Sequence, residues 1–143
     1  MATKDLHTLI RIRKWDVDEK QRAVGALLRR EESILENQAA LEEEMKREMA
    51  LASQANPTER YTLVPYLDRC EDRKKVMASL LVEVRRAIDA ARDELAESYR
   101  NLKTFEVTQE ARETKEEADE TRLEQMELDE MGLTLHRRKQ AGF

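Results

Sequence analysis

Glycine, proline and aromatic residues are all scarce: three Gly, two Pro, two Phe, one Trp and three Tyr in 143 positions. So few rings exclude a compact globule with a thick core, and so few turn formers exclude a fold of many short elements. The single cysteine, Cys70, rules out an internal disulfide, and His7 and His136 lie too far from it in sequence for a metal-ligand spacing. No run approaches the roughly 18 apolar residues of a membrane span, since the longest candidate, "VMASLLVEV", contains Glu83. The opening residues also lack a hydrophobic signal core, so a soluble, cytoplasmic protein is expected. There is no glycine-rich phosphate loop and no nucleophile beside a recognisable base; neither catalysis nor a cofactor is expected. A net charge of −5 and a pI near 5.3 argue against nucleic acid as a partner, because backbone binding depends on clustered Lys and Arg.

What the chain has instead is charge and helix formers. Charged residues make up 40% of it, with long stretches of Ala, Glu, Lys, Leu and Arg, the composition of a coiled coil. Ile10, Val17, Val24, Glu31, Gln38, Met45 and Ala52 recur every seven residues, and Leu27, Ile34 and Leu41 fill the second seam position. That spacing predicts a first helix over about 5–53, its stripe broken by Glu31 and Gln38. A second repeat pairs Cys70, Met77, Val84, Ala91, Ser98 and Phe105 with Leu67, Leu81, Ile88, Leu95 and Leu102. Its phase holds across a polar gap at Gln109, Arg112, Glu116 and Asp119 and resumes at Leu123, Met126 and Leu133, which predicts one helix over about 66–139.

Between the two, about 54–65, lies a connector. Asn56 before Pro57, with Glu59 next but one, is the pattern of a helix start, so a short turn is expected there. Pro65 should then interrupt the chain, because it lacks an N–H donor and pushes Val64 out of the helical region. The fold class that follows is all-α: an antiparallel two-helix coiled-coil hairpin, one domain over 1–143, with a long C-terminal helix overhanging the first. If the fold-back is centred near residue 60, Leu6 lies opposite about Thr114. The polar gap then marks where the first helix ends and the second has nothing apolar to face. Like-charged pairs at i, i+4, such as Glu113 with Glu117 and Glu116 with Glu120, each cost a few tenths of a kcal/mol, so the overhang is a helix of modest intrinsic stability.

The overhang nevertheless turns apolar again. Leu123, Met126 and Leu133, with Met131 and Leu135 nearby, suit a partner groove or a second copy of the chain, and methionines suit an adaptable contact. Arg137 and Arg138 at its end serve either as docking charges or as complements of the helix dipole. On the opposite arm "RIRKW" offers Arg11, Arg13 and Lys14 as a basic docking patch.

Four segments, "LHTLIRIRKWDVDEKQRAVGALL", "ERYTLVPYLDRCEDRKK", "ARDELAESYRNLKTFEVTQEAR" and "EQMELDEMGLTLHRR", in this order and across nearly the whole chain, resemble the flagellar export protein family FliJ and its injectisome relatives. The resemblance implies an antiparallel coiled coil like the central stalk of rotary ATPases, with no catalytic residues of its own. The partners it implies are the hexameric export ATPase, the cytoplasmic domain of the export gate, and export chaperones. It also implies peripheral placement at the inner membrane through that apparatus. The paired terminal segments would enter the ATPase ring, and the gate contact near the start of the second helix would correspond to Tyr66 and Cys70. Two other readings are a self-associating scaffold whose overhangs pair, and the equivalent stalk of a virulence-type secretion system. A prefoldin-like chaperone is disfavoured, because the connector has no strand pairs.

Overall fold

The computed structural model describes residues 5–142. It contains three helices, α1 (His7–Ser53), α2 (Pro57–Arg60) and α3 (Leu63–Gln140), and no strand among the described residues. The protein is an antiparallel helical hairpin made by α1 and α3. Two compact units can be distinguished: Asp16–Ser98, and a second that joins the described residues up to Trp15 with those from Tyr99 onward.

In the first unit the connector is held by its own polar groups. Asn56 Oδ1 accepts from the Glu59 N–H at 2.9 Å and Pro57 occupies the first helical position, as the sequence pattern predicts. The Arg60 guanidinium reaches back to the carbonyls of Ala52 and Ser53 at 3.1 and 3.2 Å, satisfying acceptors that the end of α1 leaves unpaired. Pro65 does not interrupt the chain. It falls in the first turn of α3, where an N–H would have no intrahelical acceptor, and the break lies earlier, at Tyr61 and Thr62.

Against one another, α1 and α3 bury a narrow apolar seam. Leu41, Met45 and Cys70 form its tightest cluster, at 2%, 7% and 1% exposure, with Tyr66, Leu67 and Met77 packed on it. Val17, Ile34, Val84 and Ile88 are buried at the expected heptad positions, and Val24, Leu27, Leu81 and Leu95 are half-buried. Each fully buried Leu or Val contributes about 1.5–3 kcal/mol, so a handful of such side chains carries the pairing. Two polar seam positions, Glu31 and Ser98, have partners across the interface. Arg85 Nε donates to Glu31 Oε2 at 3.2 Å, and Ser98 Oγ donates to Asp16 Oδ2 at 2.9 Å. Lys20 with Glu94 and Lys74 with Glu42 flank the seam. The Lys74 ammonium holds the Glu42 carboxyl below its ordinary range, first by hydrogen bonding and then by charge. Exposed pairs of this kind contribute under about 1 kcal/mol each; their role is to set register rather than to hold the fold.

That register differs from the sequence expectation by about one helical turn. A fold-back centred near residue 60 would place Leu6 opposite Thr114, whereas the Leu6 N–H donates to Gln109 Oε1 at 3.0 Å. The cause is the early start of α3: by taking in Leu63, Val64 and Pro65, the helix leaves a shorter connector and moves the centre of the hairpin back along the chain.

In the second unit, Ile10 and Leu102 are buried, and Gln109 closes the seam at 9% exposure. The Ile10 N–H donates to the Leu6 carbonyl at 2.8 Å, so α1 begins at this level, with Asp5 Oδ1 accepting from the His7 N–H at 2.9 Å. Beyond it, every described residue from 120 to 142 is exposed although α3 continues to Gln140.

Replacing Leu41 by Ala should lower stability by about 2–4 kcal/mol, as truncation of a buried leucine does. Leu128→Ala, at a position 61% exposed, should stay within about 0.5 kcal/mol. Denaturant unfolding followed by far-UV circular dichroism measures both, and equal shifts would mean that the seam is misplaced.

Candidate partner-binding surfaces

The start of α1 exposes both charge and apolar area. Leu9, Ile12 and Trp15 step at three-residue spacing along the helix and are 44%, 54% and 63% exposed, with Arg11 and Lys14 exposed among them. Arg13 belongs to a different environment. Its guanidinium lies over the Phe105 ring, 5.4 Å from the centroid, which half-buries it and makes part of its contribution structural. Of the three basic residues expected to dock a partner, Arg11 and Lys14 therefore stand clear for contact.

Below this stripe the polar gap begins as a capping site. Gln109 Oε1 accepts from the Leu6 N–H while its Nε2 donates to Glu113 Oε1 at 3.0 Å. His7 Nε2 stands 3.2 Å from the same Glu113 oxygen and 3.4 Å from Asp5 Oδ1. A glutamine in an apolar register is thus explained by the orphan donor it meets where α1 starts.

Farther along α3, Leu123, Met126 and Leu133 are 58%, 60% and 56% exposed on the side that continues the seam. Met131 does not join them. At 3.6 residues per turn it stands about 140° around the helix from Met126, with Leu128 and Leu135, so the overhang carries two apolar stripes rather than one. Arg137, Arg138 and Lys139 occupy the last turn. At 1.5 Å per residue they lie roughly 36 Å beyond Glu113, so the basic ends of the two helices form separate patches.

Tyr66 and Cys70, the expected gate-contact positions, point into the hairpin. Cys70 is 1% exposed inside the Leu41 and Met45 cluster, and the Tyr66 hydroxyl oxygen is buried with no hydrogen-bond partner among the described residues. Burial pushes the tyrosine pKa up, and the nearby Cys70 and Glu44 act in the same direction. Cys70 in particular is enclosed by the packing of the hairpin. The surface available at this end consists of Leu51, Tyr61 and Val64, at 63%, 85% and 64% exposure. Of these, Leu51 lines an open cleft of about 550 Å³ whose walls include Leu63 and Tyr66.

Over residues 3–141 the sequence matches the family described as Flagellar FliJ protein. No curated protein and no solved structure matches the chain.

Because the Tyr66 hydroxyl is buried without a partner, Tyr66→Phe should leave Tm unchanged or raise it. A thermal melt checks this, and a clear fall in Tm would show that the hydroxyl makes a stabilising contact.

Proposed function

Since the chain belongs to the FliJ family, components of flagellar type III protein export, we propose that it acts as a coiled-coil stalk that links the hexameric export ATPase to the export gate and to export chaperones. The observation that carries this reading is the exposed length of α3. From residue 120 onward the helix is unburied, yet it keeps apolar positions at helical spacing and ends in a basic turn. A helix left open in this way, beside a basic and aromatic start of α1, suits insertion into a ring of other subunits.

Screened charge suits such a stalk better than a large dry interface, because a rotating ring must not lock to it. Exposed ion pairs are worth under about 1 kcal/mol each and are readily exchanged. Arg11 and Lys14 at one level, and Arg137 and Arg138 at another, are the charges assigned to ring contact, with Leu123, Met126, Met131 and Leu133 supplying adaptable apolar area. The gate contact is assigned to Tyr61 and Val64 beside the connector, because the side chains of Tyr66 and Cys70 are turned inward. No described helix is long and apolar enough to cross a membrane, and placement at the cytoplasmic face through the export apparatus accords with that.

Reversing Arg11 and Lys14 together to Glu should abolish stimulation of the export ATPase while leaving far-UV circular dichroism unchanged. Arg13 is left in place because of its contact with Phe105. The wild-type effect should also fade between about 0.1 M and 1 M salt, as the Debye length falls from about 10 Å to 3 Å. Stimulation that survives both changes would remove the proposed ring contact.

A further inference from the structure

Two exposed surfaces of the same unit complement each other in chemistry. The start of α1 is basic and aromatic, with Ile12, Trp15, Arg11 and Lys14. The stretch of α3 that follows Glu113 is acidic and apolar: over residues 113–130 it holds nine Asp and Glu against two Lys and Arg, and Leu123 and Met126 stand exposed among them. Within one chain these surfaces cannot meet, because α1 starts level with Gln109 and Glu113 and runs away from the overhang.

We propose that a second copy of this chain covers them, in a two-fold dimer in which the start of α1 of each copy lies on the acidic overhang of the other. No described residue occupies the space that continues α1 along the seam side of the overhang. A copy turned end for end places its own α1 start there, with the outer side that carries Ile12 and Trp15 against the first copy's overhang. The same rotation lays the second overhang on the first copy's α1, so both contacts form at once and the assembly closes.

The levels agree. Trp15 lies about 12 Å into α1 from His7, and Leu123 and Met126 lie about 15–20 Å beyond Glu113, at 1.5 Å per residue. Arg11 then meets the level of Glu116 and Glu120, whose mutual repulsion along the helix its charge relieves. A side-by-side dimer in the same orientation would set acid against acid and leave Trp15 in water. Complementary charge selects this pairing, while tryptophan in a small contact supplies the binding energy. The dimer rests on no assignment of the ATPase or the gate. It would mask the surfaces given above to the ATPase ring, and so constitutes a store of stalks that dilution or a competing partner opens.

Trp15 is the only tryptophan, so its emission reports this contact alone. Sedimentation velocity of the full chain over a concentration series, with emission recorded in parallel, should show the mass rising from 16.8 kDa towards twice that value as the emission shifts to the blue. Leu123→Glu with Met126→Glu should abolish both changes and keep the helical signal. Arg11→Glu with Lys14→Glu should also abolish them, and mixing that variant with Glu116→Lys plus Glu120→Lys should restore a one-to-one dimer. A chain that stays monomeric, a dimer whose Trp15 emission does not move, or a dimer that persists in the Leu123 and Met126 variant would each overturn the proposal. A monomer would assign the overhang to a foreign partner, and an unshifted dimer would assign self-association to another face. Binding of the export ATPase is read separately, so neither result stands in for the other.

Discussion

A helix as long as α3 cannot bury any of its own side chains; it needs another surface, and over much of its length that surface is α1. Leu41, Met45, Cys70, Val84 and Ile88 leave water because α1 and α3 lie against each other. From residue 120 to 142 every described residue is exposed, although α3 continues to Gln140. Where α1 begins therefore decides both what is stable in this protein and what is open to others. Isolated helices depend on propensity and local pairs and are marginal in water, whereas a packed apolar stripe raises stability by kilocalories.

Polar seam residues mark the positions at which that pairing must be specified. Glu31 would break the stripe if left alone, but Arg85 reaches across to it, and Asp16 receives the Ser98 hydroxyl. Gln109 performs a different task, since its amide closes the first turn of α1 and hands over to Glu113 and His7. These contacts add little energy, yet sliding the helices by one turn would leave each of them unpaired. An apolar seam tolerates such a slip more readily than a hydrogen bond does.

Most of this architecture was legible in the residues. The two heptad frames placed every seam position up to Gln109 on a buried or half-buried side, because a seven-residue repeat has only one side to hide, whereas Leu123, Met126 and Leu133 keep the phase but stand exposed beyond the start of α1. The register was not legible to within a turn, because it depends on whether Val64 and Pro65 belong to the connector or to α3, and proline is acceptable in either place. The family resemblance offers Cys70 as a gate contact, whereas its place in the second heptad frame sets it on the seam, where it packs against Leu41 and Met45. Met131 lies only five residues from Met126, and the helical rotation sets the two on different sides. The contact of Arg13 with Phe105 joins residues 92 positions apart and follows from the register, so it was out of reach for the same reason.

For a FliJ-family protein this division has a functional sense: the packed pair gives a stiff body, and the open length of α3 with the start of α1 gives adaptable, weakly held surfaces. The central claim is that packing against α1, rather than helix propensity, divides α3 near Glu113. Amide hydrogen exchange of the full chain, at a dilution where it is monomeric, tests this most directly, because protection reads the free energy of opening residue by residue. Strong protection across residues 67–109, falling within about two turns to the weak protection of an isolated helix by residue 120, is the predicted profile. Uniform protection through residue 139 would contradict the account, since it would mean that the overhang is stabilised by something other than α1.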